Sequence, residues 1–252
     1  RIHQFLCLQD NFGVLVHDPL SGATAAIDAP EEGPIREALE ATGWQLSHIL
    51  VTHSHHDHIA AVAPLKRRFG CRVVAPARAA AELPDADLYV AEGDSVEVGD
   101  LTAKVMELPG HCADHVGYHF DRQQVLFAGD VLFALGCGRV FGDAYDAMWR
   151  SLSRIAALPP ETSVYFGHEY TLGNAKFALS VDPDNPDLKG QAKRVETVRA
   201  RGDFTSPTTV AAERAANPFL RAGLPALAAG VGMAGQSPAR VFRELRERKN
   251  RF

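Results

Sequence analysis

The stretch Val51-Thr52-His53-Ser54-His55-His56-Asp57-His58 decides how the rest of the chain is read. It gathers imidazole and carboxylate groups at the end of residues 46–52, a short apolar run, β-branched in its second half, that reads as a strand. The cluster is therefore expected on a loop at a strand's C-terminal end, with a helix over residues 59–69 behind it. In an α/β arrangement such loops, held by a rigid scaffold, are where sites are built. His53 and His55 are two apart, so in an extended or loop segment their rings point the same way and grip one metal ion. Asp57 and His58 follow too closely to join that ion and are free to begin a second site beside it, as in a paired-metal hydrolase. Imidazole with carboxylate suits zinc, with iron or manganese as alternatives, and the absence of a matching Cys cluster argues against a closed structural zinc site.

A His-rich surface loop that binds metal incidentally is the bland alternative, and the rest of the chain opposes it. His111 ends Leu108-Pro109-Gly110-His111 after a strand-like run at 101–108. Asp130 ends the apolar run Val125-Leu126-Phe127-Ala128-Gly129, and His168 follows Ser163-Val164-Tyr165-Phe166-Gly167. A lone strand-end Asp is usually a turn or cap residue and a lone His a satisfied polar group. The weight rests on the set, in which separate strands deliver a ligand type at the same end.

The chain has 252 residues, of which 46% are hydrophobic, enough for one large domain or one with a smaller companion around a sizeable core. A formal net charge of -5 provides no field to draw nucleic acid, so an anionic partner must be met by a local basic patch. No apolar run approaches the roughly 20 residues of a membrane span. The first residues lack a charged-then-apolar signal pattern, so a cytoplasmic chain is expected; it is expected to act as a monomer. Cys7, Cys71, Cys112 and Cys137 are scattered without C-x-x-C spacing and read as reduced thiols.

In chain order, residues 2–8, 12–17 and 23–29 read as an antiparallel meander with turn chemistry between them, followed by a helix at 34–42 that Gly43 ends. Strands are expected at 72–75 and 87–90, a hairpin at 95–98 and 101–108 around Gly99-Asp100, and a strand pair at 115–120 and 125–128. An amphipathic helix at 144–157 and a strand at 163–166 follow. The class is α/β, as a four-layer helix, sheet, sheet, helix (αββα) sandwich with the metals at one sheet edge. After His168 the β-rich runs disappear, and helical patterns take over at 171–181, 188–201, 208–216 and 238–249. This divides the chain into a domain at 1–168 and a helical one at 169–252. The last helix carries Arg240, Arg243, Arg246, Arg248, Lys249 and Arg251 with Glu244 and Glu247 among them, which from charge alone reads as a solvated face.

The pattern His-x-His-x-Asp-His, with later His, Asp and His at strand ends, resembles the metallo-β-lactamase superfamily. Within it the chain resembles the glyoxalase II (hydroxyacylglutathione hydrolase) family. That closer likeness rests on Gly136-Cys137-Gly138-Arg139, on Gly167-His168-Glu169-Tyr170-Thr171, on Asn217-Pro218-Phe219-Leu220-Arg221 and on the end Leu245-Arg246-Glu247-Arg248-Lys249-Asn250-Arg251-Phe252, and it covers essentially the whole chain. The resemblance implies a metallo-β-lactamase sandwich with a C-terminal helical domain. It implies two divalent metal ions, His53, His55 and His111 holding the first and Asp57, His58 and His168 the second, with Asp130 bridging. Glutathione is implied between the domains, met by Arg139, Phe141, Tyr170, Arg246 and Lys249. Three positions depart from the family pattern: Phe141 stands where many relatives have Tyr, and Leu108 and Cys112 where they tend to have Thr. The implied reaction is hydrolysis of a hydroxyacylglutathione thioester such as S-D-lactoylglutathione, in methylglyoxal detoxification. A metal pair sharing Asp130, with Asp57 beside it, would lower the pKa of a bound water from 15.7 toward about 7, so that hydroxide would be present at neutral pH. The leaving thiol, with a pKa near about 8.5, departs without a proton donor. A persulfide dioxygenase of the same superfamily is opposed by the helical C-terminal domain and its basic end. A catalytically silent glutathione- or metal-binding protein is opposed by the complete ligand set.

Overall fold

In the computed structural model, which describes residues 1–252, β1 (Ile2–Cys7), β2 (Asn11–His17) and β3 (Thr24–Ile27) form the antiparallel meander that their turns imply. The pairing then turns parallel, because helix α1 (Glu32–Thr42) carries the chain back to the starting edge before β4 (His48–Leu50) is laid beside β3. β5 (Arg72–Pro76) and β6 (Leu88–Val90) continue in parallel, giving a sheet of order β1-β2-β3-β4-β5-β6. α1 ends at Gly43 in the left-handed region, as its sequence predicts. β4 is shorter than expected, since only His48–Leu50 pairs with a strand on both sides.

The helix expected over 59–69 is two helices, α2 (His56–Ile59) and α3 (Val62–Phe69). The break has a hydrogen-bonding cause. Ala61 N–H donates to the Ala29 carbonyl at 2.9 Å, and Pro64 has no N–H to return to Ala60. α2 is thereby separated from α3, and it carries Asp57 and His58.

A second sheet is built from β7 (Ser95–Val98), β8 (Leu101–Glu107), β9 (Val116–Phe120) and β10 (Val125–Phe127), antiparallel throughout. Fully buried Tyr118 donates its hydroxyl to the Val51 carbonyl at 2.8 Å, tying this sheet to the end of the first one. The β7–β8 turn is tied as well. Asp18 accepts N–H groups of Leu20, Ser21 and Asp100, and Gly99, with φ 61°, approaches so closely that a Cβ there would lie 1.8 Å from Ser21 Oγ. These elements belong to one compact unit, Arg1–Glu107 with Ala113–Gly129.

The other unit comprises Leu108–Cys112 and Asp130–Phe252. It contains the two-residue strands β11 (Leu132–Phe133) and β12 (Gly136–Cys137), then α4 (Tyr145–Ala156), β13 (Ser163–Tyr165), α5 (Thr171–Val181) and α6 (Pro186–Ala200). β14 (Thr208–Thr209), α7 (Val210–Ala216), α8 (Pro225–Gly230) and α9 (Pro238–Arg251) complete it. β11, β12, β14 and α8 were not expected, because elements this short leave no period to read. Thr208 and Thr209, expected to begin a helix, pair antiparallel with Val164 and Ser163, and Thr209 then caps α7 by accepting the Ala212 N–H. Aromatic contacts bind α9 into the unit, with Phe242 beside Trp149 at 5.9 Å and Phe219 at 6.0 Å. All four cysteines are free thiols, and no helix is long and apolar enough to cross a membrane.

The Asp18 carboxyl is held down at about 2, chiefly by the Asp100 N–H and the Ser21 hydroxyl. A folded-state pKa below the unfolded value of 3.8 stabilises above that pH and ceases to do so as pH falls through about 2. Asp18→Asn is therefore expected to lower the unfolding midpoint at neutral pH, with the gap to wild type closing between about pH 4 and pH 2. Thermal unfolding at stepped pH checks this, and a gap that stays constant into acid would sink it.

Candidate metal centre

The ends of β3 and β4 lie side by side because those strands are parallel, and this puts Asp28 next to the His-rich loop. Thr52 N–H and Thr52 Oγ1 both donate to the Asp28 carboxylate, at 2.6 and 2.8 Å. His58 Nδ1 lies 2.8 Å from Asp28 Oδ2. A carboxylate only accepts, so Nδ1 of His58 carries the proton and Nε2 is the lone-pair nitrogen. The same logic passes through Thr52: its hydroxyl proton is spent on Asp28, so His53 Nδ1, 3.0 Å from Thr52 Oγ1, is the donor there. His53 too is left with Nε2 as its lone-pair nitrogen, the form a metal requires. Asp28 has donor atoms within 4.8 Å of those of His53 and His58, but both its oxygens are engaged in fixing these rings.

His53 Nε2 and His55 Nδ1 lie 3.1 Å apart. Asp57, on α2, has Oδ2 3.6 Å from His58 Nε2, and the Asn11 amide donates to the same oxygen at 3.0 Å. The loop is held from a second direction by Asp114, which accepts the Ser54 N–H at 2.8 Å, and by buried His115, stacked on His53 with centroids 4.7 Å apart. Asp28, Asn11, Asp114 and His115 were missed by sequence reasoning. Asp28 carried a signal, since it ends an apolar strand just as Asp130 does.

In the other unit Asp130 Oδ2 lies 3.5 Å from His111 Nε2 and 3.2 Å from His168 Nε2, so one oxygen faces two imidazole nitrogens. His111 Nδ1 donates to the Arg139 carbonyl at 2.9 Å, again leaving Nε2 as the lone-pair atom. Gly138 makes this packing possible: a Cβ there would lie 1.9 Å from the Asp130 carbonyl and 3.3 Å from His111 Nδ1. His168 stacks on Tyr170, with centroids 4.7 Å apart and planes 4° from parallel. Each unit thus presents imidazoles and carboxylates, a donor chemistry suited to divalent metal ions.

Beside the Asp130 group, and within the same unit, is an open cavity of about 450 Å³. Arg139, Tyr170, Arg246 and Lys249 line it, together with Phe133 and Cys137. Phe141 is not on its wall; that half-exposed ring lies 5.5 Å from the His111 ring. Arg246 is buried, its Nη1 donating to the Cys137 carbonyl at 2.9 Å and its guanidinium 5.3 Å from the Phe219 ring. Lys249 Nζ donates to the Gly173 carbonyl at 2.9 Å, and burial, then the neighbouring Arg246, lowers its pKa. The solvated-face reading of α9 fails for these two residues.

Residues 8–168 match the metallo-beta-lactamase superfamily, and residues 169–252 match the family described as hydroxyacylglutathione hydrolase C-terminus. The hydroxyacylglutathione hydrolase of Methylobacterium nodulans is 56% identical over 253 residues, spanning 100% of this chain and 99% of its own. That of Rhodopseudomonas palustris is 55% identical over 244 residues, with 97% and 96% covered. Among solved structures, ETHE1 from Myxococcus xanthus aligns with a TM-score of 0.71 at 25% identity, over 99% of this chain and 91% of its own. TTHA1623 in a di-iron-bound form aligns with a TM-score of 0.60 at 26% identity, over 86% and 98%. With the metallo-β-lactamase fold and both segments matched over its full length, the chain belongs to the hydroxyacylglutathione hydrolase family.

Proposed function

We propose that this chain hydrolyses the thioester of S-(2-hydroxyacyl)glutathione, S-D-lactoylglutathione in particular, to glutathione and the 2-hydroxy acid. The reaction serves methylglyoxal detoxification in the cytoplasm. The observation that carries the reading is the cavity in which Arg139, Arg246 and Lys249 gather beside Tyr170, whose ring stacks on His168. Glutathione is an anion with two carboxylates, and a chain of net charge -5 has to capture it with local cations. A volume of about 450 Å³ lies in the usual range for small-molecule sites.

His53, His55 and His111 would hold one divalent ion and Asp57, His58 and His168 a second, with Asp130 shared; zinc suits this set, with iron or manganese as alternatives. When bound, such a pair supplies hydroxide at neutral pH and polarises the thioester carbonyl. The chain's own part is positional. Asp28 and the Arg139 carbonyl hold the ligand rings in the tautomer that leaves Nε2 available. Asn11 fixes Asp57, and Tyr170 with the three cations holds glutathione so that its thioester lies at the donors. A thiol with a pKa of about 8.5 leaves as thiolate, so no side chain is asked to protonate it. In this reading residues 1–168 form the catalytic domain and 169–252 the domain that supplies most glutathione contacts.

The decisive experiment pairs metal analysis of the purified protein with hydrolysis of S-D-lactoylglutathione; protein that carries divalent metal yet leaves the thioester intact would overturn the proposal. Asp130→Ala is expected to reduce metal content below two ions per chain and turnover by about 10²-fold or more, an effect of the size seen when a group stabilising developing charge is removed. Near-normal turnover with both ions retained would exclude the sharing role. Asp28→Ala is expected to weaken metal affinity by about 10- to 100-fold, as for other partners of ligating histidines, read by competition with a chelator. Lys249→Ala should raise KM for the glutathione thioester about tenfold while hardly affecting a small neutral thioester, as for lost uniform binding. Equal loss on both substrates would show a collapsed helix rather than a lost contact.

A further inference from the structure

The hairpin β11–β12, residues 132–137, is held in an unusual way. Its turn residue Leu135 is fully buried yet has φ 55°, a conformation that a leucine adopts only when its surroundings impose it. The side chain is packed into the core formed with Ala175, Ala178 and Leu188. Four consecutive residues, Phe133 to Gly136, have a main-chain group hydrogen-bonded to a distant side chain. Asn217 Nδ2 donates to the carbonyls of Phe133 and Gly136 at 3.3 and 2.9 Å, and Asn174 Nδ2 donates to that of Ala134 at 3.2 Å. Leu135 N–H donates to Glu213 Oε2 at 2.8 Å.

Glu213 is the residue on which this arrangement closes. Its Oε2 also accepts from Asn217 Nδ2 at 2.8 Å, and its Oε1 accepts from Thr208 Oγ1 at 2.7 Å. The side chain is fully buried, and its hydrogen-bond partners, Leu135, Asn217 and Thr208, are none of the proposed metal ligands or glutathione contacts. Burial pushes its carboxyl up to about 7 against the pull of these three donors, and in either protonation state it remains an acceptor.

We propose that Glu213 is a positioning residue for the glutathione cavity: it holds the 132–137 hairpin in its strained turn and, through that hairpin, sets the place of the cations. The hairpin contributes Phe133 and Cys137 to the cavity wall, one from each strand. The Cys137 carbonyl is the acceptor that anchors Arg246 Nη1, and Arg139 follows two residues later. Release of the Leu135 N–H lets the turn relax, which moves the Cys137 carbonyl and the guanidinium it holds. This inference rests on the glutathione reading of the cavity.

The test uses full-length, metal-loaded protein carrying E213A or E213Q. Glutamine keeps an oxygen for Leu135 and Asn217, and its amide nitrogen faces Thr208 Oγ1, which can accept as readily as donate. E213A is expected to raise KM for S-D-lactoylglutathione about tenfold, to leave kcat/KM for S-ethyl thioacetate within about twofold, and to speed hydrogen exchange at the Leu135 amide. E213Q is expected to restore both the KM and the slow exchange. Should E213A fail to fold, E213D, which withdraws the acceptor by one methylene, carries the same expectation in lesser degree. An unchanged KM with fast Leu135 exchange would overturn the positioning role, as would a proportional loss on both thioesters. Wild-type protein inactive on every glutathione thioester would instead sink the functional reading and this inference with it.

Discussion

The constraint on which the metal-binding loop depends is that a histidine can serve a metal only through a deprotonated nitrogen, so something must hold the proton on the other one. Asp28 does this for two rings, directly for His58 and through the Thr52 hydroxyl for His53. The mechanism is electrostatic and geometric at once. A buried carboxylate accepting three hydrogen bonds is satisfied without a counter-ion, and each of those bonds fixes an atom of the loop. Asp28 itself has φ 57°, tolerable for an aspartate, which turns its side chain toward β4. Because β3 and β4 are parallel, their C-terminal ends coincide, and that coincidence is what the helix α1 crossover provides.

The proposed ligand set could be read from the sequence because chemistry of this kind needs uncommon residues at fixed spacings. His53, His55, Asp57 and His58 stand in one short stretch, and His111, Asp130 and His168 each end an apolar run. What holds those ligands was not legible. That Asp28 adjoins Thr52 and His58 follows only from which strands are neighbours, and that Arg139 acts on His111 through its carbonyl is invisible to a reading of side chains. The strand meander, the α1 crossover and the hairpin at Gly99 follow from turn residues and alternation. The break between α2 and α3 does not, because its cause is a long-range bond from Ala61 to Ala29.

The second unit shows a different limit. Its helices announce themselves by period, but the parts that shape the cavity are two-residue strands and one strained turn, too short to leave a pattern. Their conformation is imposed by Asn174, Glu213 and Asn217, which lie far along the chain from the turn they hold. Local sequence and local structure disagree at Leu135, and such disagreement is expected where a site is being shaped rather than where a fold is being stabilised.

The last helix shows how the same residue types are given opposite tasks. Arg243 pairs with Asp143 and Glu247, at 3.0 and 2.9 Å, and Arg248 with Glu244 at 2.7 Å; these charges are neutralised on the helix or beside it. Arg246 and Lys249 are anchored differently. The hydrogen bonds that hold them go to neutral oxygens, those of Cys137 and Asn250 for Arg246 and that of Gly173 for Lys249. A neutral acceptor fixes the position of a cation without cancelling its charge, so neither cation is paired with a carboxylate through these bonds. The cost is visible in Lys249, whose pKa is lowered by burial and by the adjacent guanidinium. A carboxylate brought next to the pair would offset that repulsion, so the contacts that lower the lysine's pKa are ones an anion would favour.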